Sequence, residues 1–194
     1  MVVAFIWNSR GMNRPDKLLR VHDLLREQCP DLISLSETKK TDFDYYQIRT
    51  LDPVGKYTWN WLPATGTAGG ILVGVSLDLC EVLSWNINQY SVIVLIKNKS
   101  DSNIWRYISV YGTAYDEYKL DFINELHNVM ASWVGPTAIG GGGTLISLER
   151  RVRKVVAILT SIGQIYSMTG SIDLGCWKLK MLVEDLPGLI IRKI

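Results

Sequence analysis

The chain has 194 residues, 47% hydrophobic and 21% charged, which suits one globular domain with a real core and excludes a disordered or fibrous protein. The formal net charge of +2 is too small to argue by itself for a nucleic-acid or membrane partner. No stretch reaches the ~20 apolar residues of a membrane span, and the short apolar start Met1–Trp7 has no basic segment before it, so a soluble, intracellular protein without a signal peptide is expected.

Val2–Trp7 is a β-branched and aromatic run that stops at Asn8-Ser-Arg-Gly11, which predicts a strand followed by a loop. Pro15-Asp16 opens a segment with Leu18, Leu19, Val21, Leu24 and Leu25 at helical spacing, predicting a helix to about Gln28 that Pro30 ends. Asp31–Leu35 reads as a strand buried on both faces, with Ser36-Glu-Thr-Lys39 leaving its end. This strand–helix–strand unit is the usual start of a layered α/β domain.

Next come strands at Tyr57–Leu62, Ile71–Val75, Val82–Trp85, Ser91–Ile96 and Trp105–Tyr111, with Gly66–Gly70 as a turn. Such short intervals favour antiparallel pairing. A second helix is predicted from about Glu117 to Trp133, with Leu120, Ile123, Leu126, Val129 and Met130 as its buried stripe. Thr137–Ile139 starts another short strand into Gly140–Gly143. Beyond it the pattern fails. Arg150–Ile158 has an amphipathic spacing, and Leu182–Ile194 has no clear period. Charge changes there too: residues 1–141 carry 13 basic and 15 acidic side chains, residues 142–194 carry 8 and 4.

Asn8, Glu37 and Tyr111 each stand at the end of a predicted strand, and in a layered α/β protein such ends converge on one rim where sites are built. With their neighbours they resemble the endonuclease/exonuclease/phosphatase superfamily. Trp7-Asn-Ser-Arg-Gly11 is similar to its first motif, written WNIRG in the retrotransposon branch, and Ser36-Glu-Thr-Lys39 to its QET motif with Ser in place of Gln. Ser109-Val-Tyr-Gly112 is similar to the third motif, and Ile139-Gly-Gly141 to the lead-in of GDFN. The resemblance covers residues 2–141 and is greatest to the endonuclease domain of plant LINE-type retrotransposons.

That resemblance implies a deoxyribonuclease-like α/β fold: a two-sheet sandwich flanked by helices, its second half incomplete. It implies Mg2+-dependent hydrolysis of DNA phosphodiester bonds, a nuclear setting, and no small-molecule cofactor. Such chemistry needs a hard cation to polarise a phosphoryl oxygen and a base to activate water. Glu37 would be the metal carboxylate. Asn8 would orient the metal or a phosphate oxygen, Arg10 would contact substrate, and Tyr111 would place a phenol near the scissile phosphate. The alternatives are a phosphatase of the same superfamily and a non-catalytic binding domain. Each residue also has a plainer reading: Glu37 as a solvated charge, Asn8 as a cap on the turn before Gly11, Tyr111 as an aromatic at the core edge. The tryptophans Trp59, Trp61, Trp85, Trp105 and Trp133 read as core or its cover rather than as a base-stacking platform.

The departures from the family matter as much. Where the family continues Gly-Asp-Phe-Asn, the chain reads Gly142-Gly-Thr-Leu145, and its two histidines, His22 and His127, both fall within helical segments. No candidate remains for the late base, so the chain is expected not to turn over substrate. Cys29, Cys80 and Cys176 lie far apart and predict reduced thiols without a zinc site.

Back-translation offers a cause. Permitted codons for Gln164–Ser171, read in a displaced frame, spell DLFNDWI; Asp185–Ile191 likewise yields FTWSNNQ, and the frame from Gly141 allows GGDFNLIR. These strings resemble the continuation of the plant endonuclease. Residues from about 142 onward are therefore expected to be an out-of-frame tail of atypical character, an idea that ends if the genomic codons cannot spell those strings. A tail of that kind would leave the first half without its partner sheet, so instability or aggregation is expected.

Overall fold

The computed structural model describes residues 2–66, 68–113 and 116–141, and the backbone of 189–192. The first unit forms as its sequence dictates. Strand β1 (Val2–Asn8) leads to helix α1 (Pro15–Gln28) and strand β2 (Leu32–Ser36), which pairs in parallel with β1 from Ala4↔Leu32 to Asn8↔Ser36. Pro15 stands in the first turn of α1, where its missing N–H costs nothing. The helix ends at Cys29 in the left-handed region, just before Pro30.

A short helix, α2 (Tyr45–Leu51), follows; the sequence reading left this stretch unassigned. Asp44 starts it with a reciprocal capping box, its side chain accepting from Gln47 N while Gln47 Oε1 accepts from Asp44 N. Only Leu51 of this helix is buried, so its apolar periodicity is faint. The spacing Asp44-x-x-Gln47 was the available signal.

Strands β3 (Tyr57–Thr65) and β4 (Ala68–Ser76) form a hairpin, longer on both sides than the apolar runs suggest. Gly69 and Gly70 are therefore strand residues, not turn residues. With β4 antiparallel to β2, the first sheet has the order β3-β4-β2-β1-β9, where β9 (Leu189–Arg192) pairs in parallel with β1. The sequence reading saw no element at β9. The second sheet is β5 (Cys80–Ile87), β6 (Ser91–Asn98), β7 (Ile104–Val110) and β8 (Thr137–Gly141), in that order. Its first two pairings are antiparallel, as short connections favour. β8 joins β7 in parallel after a one-turn 3-10 helix, Asp116–Tyr118, and helix α3 (Lys119–Ala131).

Strand period sorts side chains into three layers of core. Ala4, Ile6, Leu32, Val73, Val94, Ile96, Trp105 and Tyr107 fill the space between the sheets. On the outer face of the first sheet, Phe5, Ile33, Leu35 and Leu72 meet Leu18, Val21 and Leu25 of α1. On the outer face of the second, Ile108 and Val110 meet Phe122 and Val129 of α3. The α3 stripe is thus centred on Phe122, while Leu120 is exposed; it lies two positions from Phe122, about 200° away around a helix. The architecture is the expected two-sheet sandwich with helices outside. One expectation is corrected: four strands of the first sheet, all four of the second and the core between them lie within residues 2–141, and β9 adds the fifth strand at the β1 edge, so the first half has its partner sheet.

Candidate functional site

Parallel pairing sends the C-terminal ends of β1 and β2 to the same rim, and the facing sheet sends β7 and β8 there as well. The Asn8 side chain donates from Nδ2 to Glu37 Oε1 at 2.8 Å. Its oxygen accepts from the Arg10 backbone N–H at 3.1 Å, so the amide bridges the β1–α1 loop to the carboxylate. Tyr111, at the end of β7, lies beside Glu37. Burial first, then the charge of Glu37 and its hydrogen bond with the phenol, raise the Tyr111 pKa above its ordinary value. Asn8, Glu37 and Tyr111, singled out in the sequence, are thus brought together from both sheets. Arg10 is exposed at the same rim, its backbone in the left-handed region (φ 50°).

Glu37 also has a positive φ, 53°. For a residue with a Cβ this costs of order 1–2 kcal/mol, so neighbours must hold it there. They do. The parallel ladder between β1 and β2 continues past the strand ends: Ser9 N donates to Ser36 O at 2.9 Å, Gly11 N to Glu37 O at 2.7 Å and Met12 N to Thr38 O at 2.8 Å. Ser9 Oγ adds contacts to Ser36 O at 3.0 Å and Glu37 O at 3.1 Å. Lys17 Nζ, reaching back from α1, donates to Ser9 O at 2.9 Å. Sequence reasoning missed Ser9 and Lys17, because their partners are backbone carbonyls rather than charged side chains.

The other wall is glycine. Gly69 and Gly70 have φ of 78° and 84°, and their carbonyls accept from Lys39 N and Thr38 N. A Cβ on Gly70 would lie 2.3 Å from Thr38 Oγ1, and one on Gly69 would touch the Tyr111 ring at 3.5 Å. Gly141, opposite Val110 in the β7–β8 ladder, is packed tighter still, since a Cβ there would sit 1.9 Å from Val110 O. Below the rim, Ser34 of β2 and Ser109 of β7 share a buried hydrogen bond of 2.7 Å that crosses from one sheet to the other.

Among the described residues, no three His, Cys, Asp or Glu side chains gather to hold a metal ion. One carboxylate with an amide and a phenol beside it is a hard oxygen-rich set. It suits a cation such as Mg2+, which is commonly held by one or two carboxylates and keeps several waters. His22 on α1 pairs with Asp23 of its own helix, and His127 lies on α3; neither is on the strand-end rim. No helix among the described residues is long and apolar enough to cross a membrane. Cys29 and Cys80 are free thiols, exposed and buried respectively. The GDFN counterpart after Gly141, and the whole of the displaced-frame strings except the segment at β9, lie outside the described residues.

No family model and no curated protein matches the chain. Solved structures do. A Bacteroides thetaiotaomicron endonuclease/exonuclease/phosphatase family protein superposes with a TM-score of 0.55 at 9% identity, covering 73% of this chain and 62% of that one. The human Nocturnin catalytic domain gives 0.53 at 12%, over 70% and 61% of the two chains. The Xenopus laevis APE2 catalytic domain gives 0.53 at 15%, over 73% and 57%. The chain spans about three fifths of the length of these structures. At such identities the likeness carries the fold: the α/β sandwich of the endonuclease/exonuclease/phosphatase superfamily.

Proposed function

We propose that the chain is the cation-binding part of a phosphodiester-cleaving endonuclease of the plant LINE-retrotransposon type, acting on DNA and incomplete as a catalyst. The observation that carries this reading is the meeting of Asn8, Glu37 and Tyr111 at one rim, with Glu37 in a strained backbone conformation. Glu37 holds a divalent cation, Mg2+ in this reading, which supplies Lewis-acid polarisation of a phosphoryl oxygen when bound. Asn8 orients the carboxylate. Tyr111, kept protonated by its surroundings, would turn its one proton from Glu37 to a phosphate oxygen when the carboxylate engages the cation, and Arg10 would attract the anionic backbone of the substrate. Both histidines lie on outer helices and no described side chain of the rim is a histidine that could serve as base for water, which supports reading the chain as a site that binds without turning over.

The test pairs two measurements on the full chain. Mn2+, used as a paramagnetic substitute for Mg2+, is expected to bind at one site that Glu37→Gln abolishes. A supercoiled plasmid incubated with Mg2+ is expected to remain intact. Nicking that disappears in Glu37→Ala would retain the site and overturn the claim of inactivity. Hydrolysis of a soluble phosphate ester with no effect on plasmid would point to a phosphatase. Mn2+ binding untouched by Glu37→Gln would remove the reading altogether.

A further inference from the structure

Asn8 contacts the Glu37 carboxylate, but nothing in that contact explains how the main chain of Glu37 stays at φ 53°. Ser9 is the residue placed to do it. It is 1% exposed, and all three of its polar groups are engaged. Its N–H meets Ser36 O, its hydroxyl spans Ser36 O and Glu37 O, and its carbonyl accepts from Lys17 Nζ. Lys17 in turn lies over the Trp7 ring, 5.9 Å from its centre, so the ammonium is held from two sides. The two peptide carbonyls flanking the reversal at Glu37 are thereby fixed, one before the residue and one after it. A hydroxyl has a single proton, so the spanning contact is shared between the carbonyls, and its effect is geometric rather than additive. Residues with only an apolar side chain at position 9, such as the Ile of the WNIRG pattern, have nothing to make this contact with. Ser9 belongs to this chain's own way of building the site.

We propose that Ser9, braced by Lys17, is a positioning residue that sets the aim of the Glu37 carboxylate toward its cation. This rests on the cation reading of Glu37, and the experiment separates the two. Valine and threonine occupy nearly the same volume and differ by the hydroxyl, so Ser9→Thr and Ser9→Val carry the same added bulk into the same buried place. Mn2+ affinity of the full chain is measured by the loss of the free-ion electron paramagnetic resonance signal, with the thermal midpoint recorded for each variant. Ser9→Val is expected to bind about tenfold more weakly than Ser9→Thr, the usual range for loss of an outer-shell partner. Ser9→Ala, which adds no bulk, is expected to be weakened similarly against wild type and serves if the valine variant does not fold. Equal Mn2+ affinity across these pairs, with binding still lost in Glu37→Gln, would overturn the proposal and leave the cation site standing. A lowered midpoint with unchanged affinity would make Ser9 a structural residue only. Unchanged binding in Glu37→Gln would sink both readings together.

Discussion

Single residues in this protein are held in place mainly by backbone groups, and Arg106 shows the energetic side of that. It is 4% exposed on β7, with Nη1 donating to Val129 O at 2.8 Å near the C-terminal end of α3. The last-turn carbonyls of a helix welcome a cation. Burial nevertheless pulls its pKa down to about 10, and Nε has no hydrogen-bond partner. A charge that is buried without a carboxylate is a weak stabiliser, and replacing it with an apolar group of similar volume is often neutral or better. Arg106→Met is therefore expected to keep or raise the thermal midpoint. Arg106→Ala should lower the midpoint and cost roughly 2–4 kcal/mol in denaturant unfolding, because the emptied volume adds a cavity. If the methionine variant were as damaged as the alanine variant, the guanidinium would be contributing far more than its surroundings imply. At this scale the sequence named Asn8, Glu37 and Tyr111 because polar residues at strand ends stand out against apolar runs. It did not name Ser9, a small hydroxyl whose partners are main-chain oxygens 27 and 28 positions away.

Among the elements, legibility followed burial. β1, α1 and β2 could be placed nearly to the residue because their apolar periods are strong and Pro15 and Pro30 punctuate them. α2 could not, since Tyr45 and Tyr46 are exposed and the helix is seven residues long. The β3–β4 hairpin misled for a different reason. Glycine pairs usually mark turns, yet Gly69 and Gly70 serve here to let β4 approach Thr38 and Tyr111. That distinction is measurable. Gly66, in the turn itself, has φ 62° and nothing within 4 Å of an added Cβ, so Gly66→Ala should cost only the backbone penalty, ~1 kcal/mol. Gly70→Ala meets both φ 84° and a 2.3 Å clash, and is expected to cost about 3 kcal/mol or more by urea unfolding. Similar losses at the two positions would mean that Thr38 simply swings aside.

For the whole molecule, residues 2–141 carry a core on three levels, so a single cooperative thermal transition of the full chain is the expected outcome, and a broad or aggregating melt would instead bear out the instability read from the tail. Its alkaline side has a defined sign. The Cys80 thiol, 2% exposed, is pushed by burial from about 9 up to about 11, so the fold favours the protonated form. A raised value contributes stability that is complete below the unfolded value and disappears as pH climbs through the folded one. Tyr107, fully buried between the sheets, shifts in the same direction for the same reason. The melting midpoint is thus expected to fall between about pH 9 and 11, and Cys80→Ala should flatten the first part of that fall. A midpoint constant to pH 11 in the wild type would contradict the burial of that thiol. The sequence could foresee the layered class from the alternation of strand and helix. It could not foresee which residues face each other across the layers, because that depends on register between strands far apart in the chain.

The hydroxyl pair Ser34–Ser109 has a consequence for how the rim behaves. Glu37 rides on one sheet and Tyr111 on the other, two to three residues beyond that link along each strand. The width of the mouth is therefore governed by interlayer slip, and the buried link is the nearest fixed spacer. Any partner that slides one layer over its neighbour would spread carboxylate and phenol apart without disturbing a single strand.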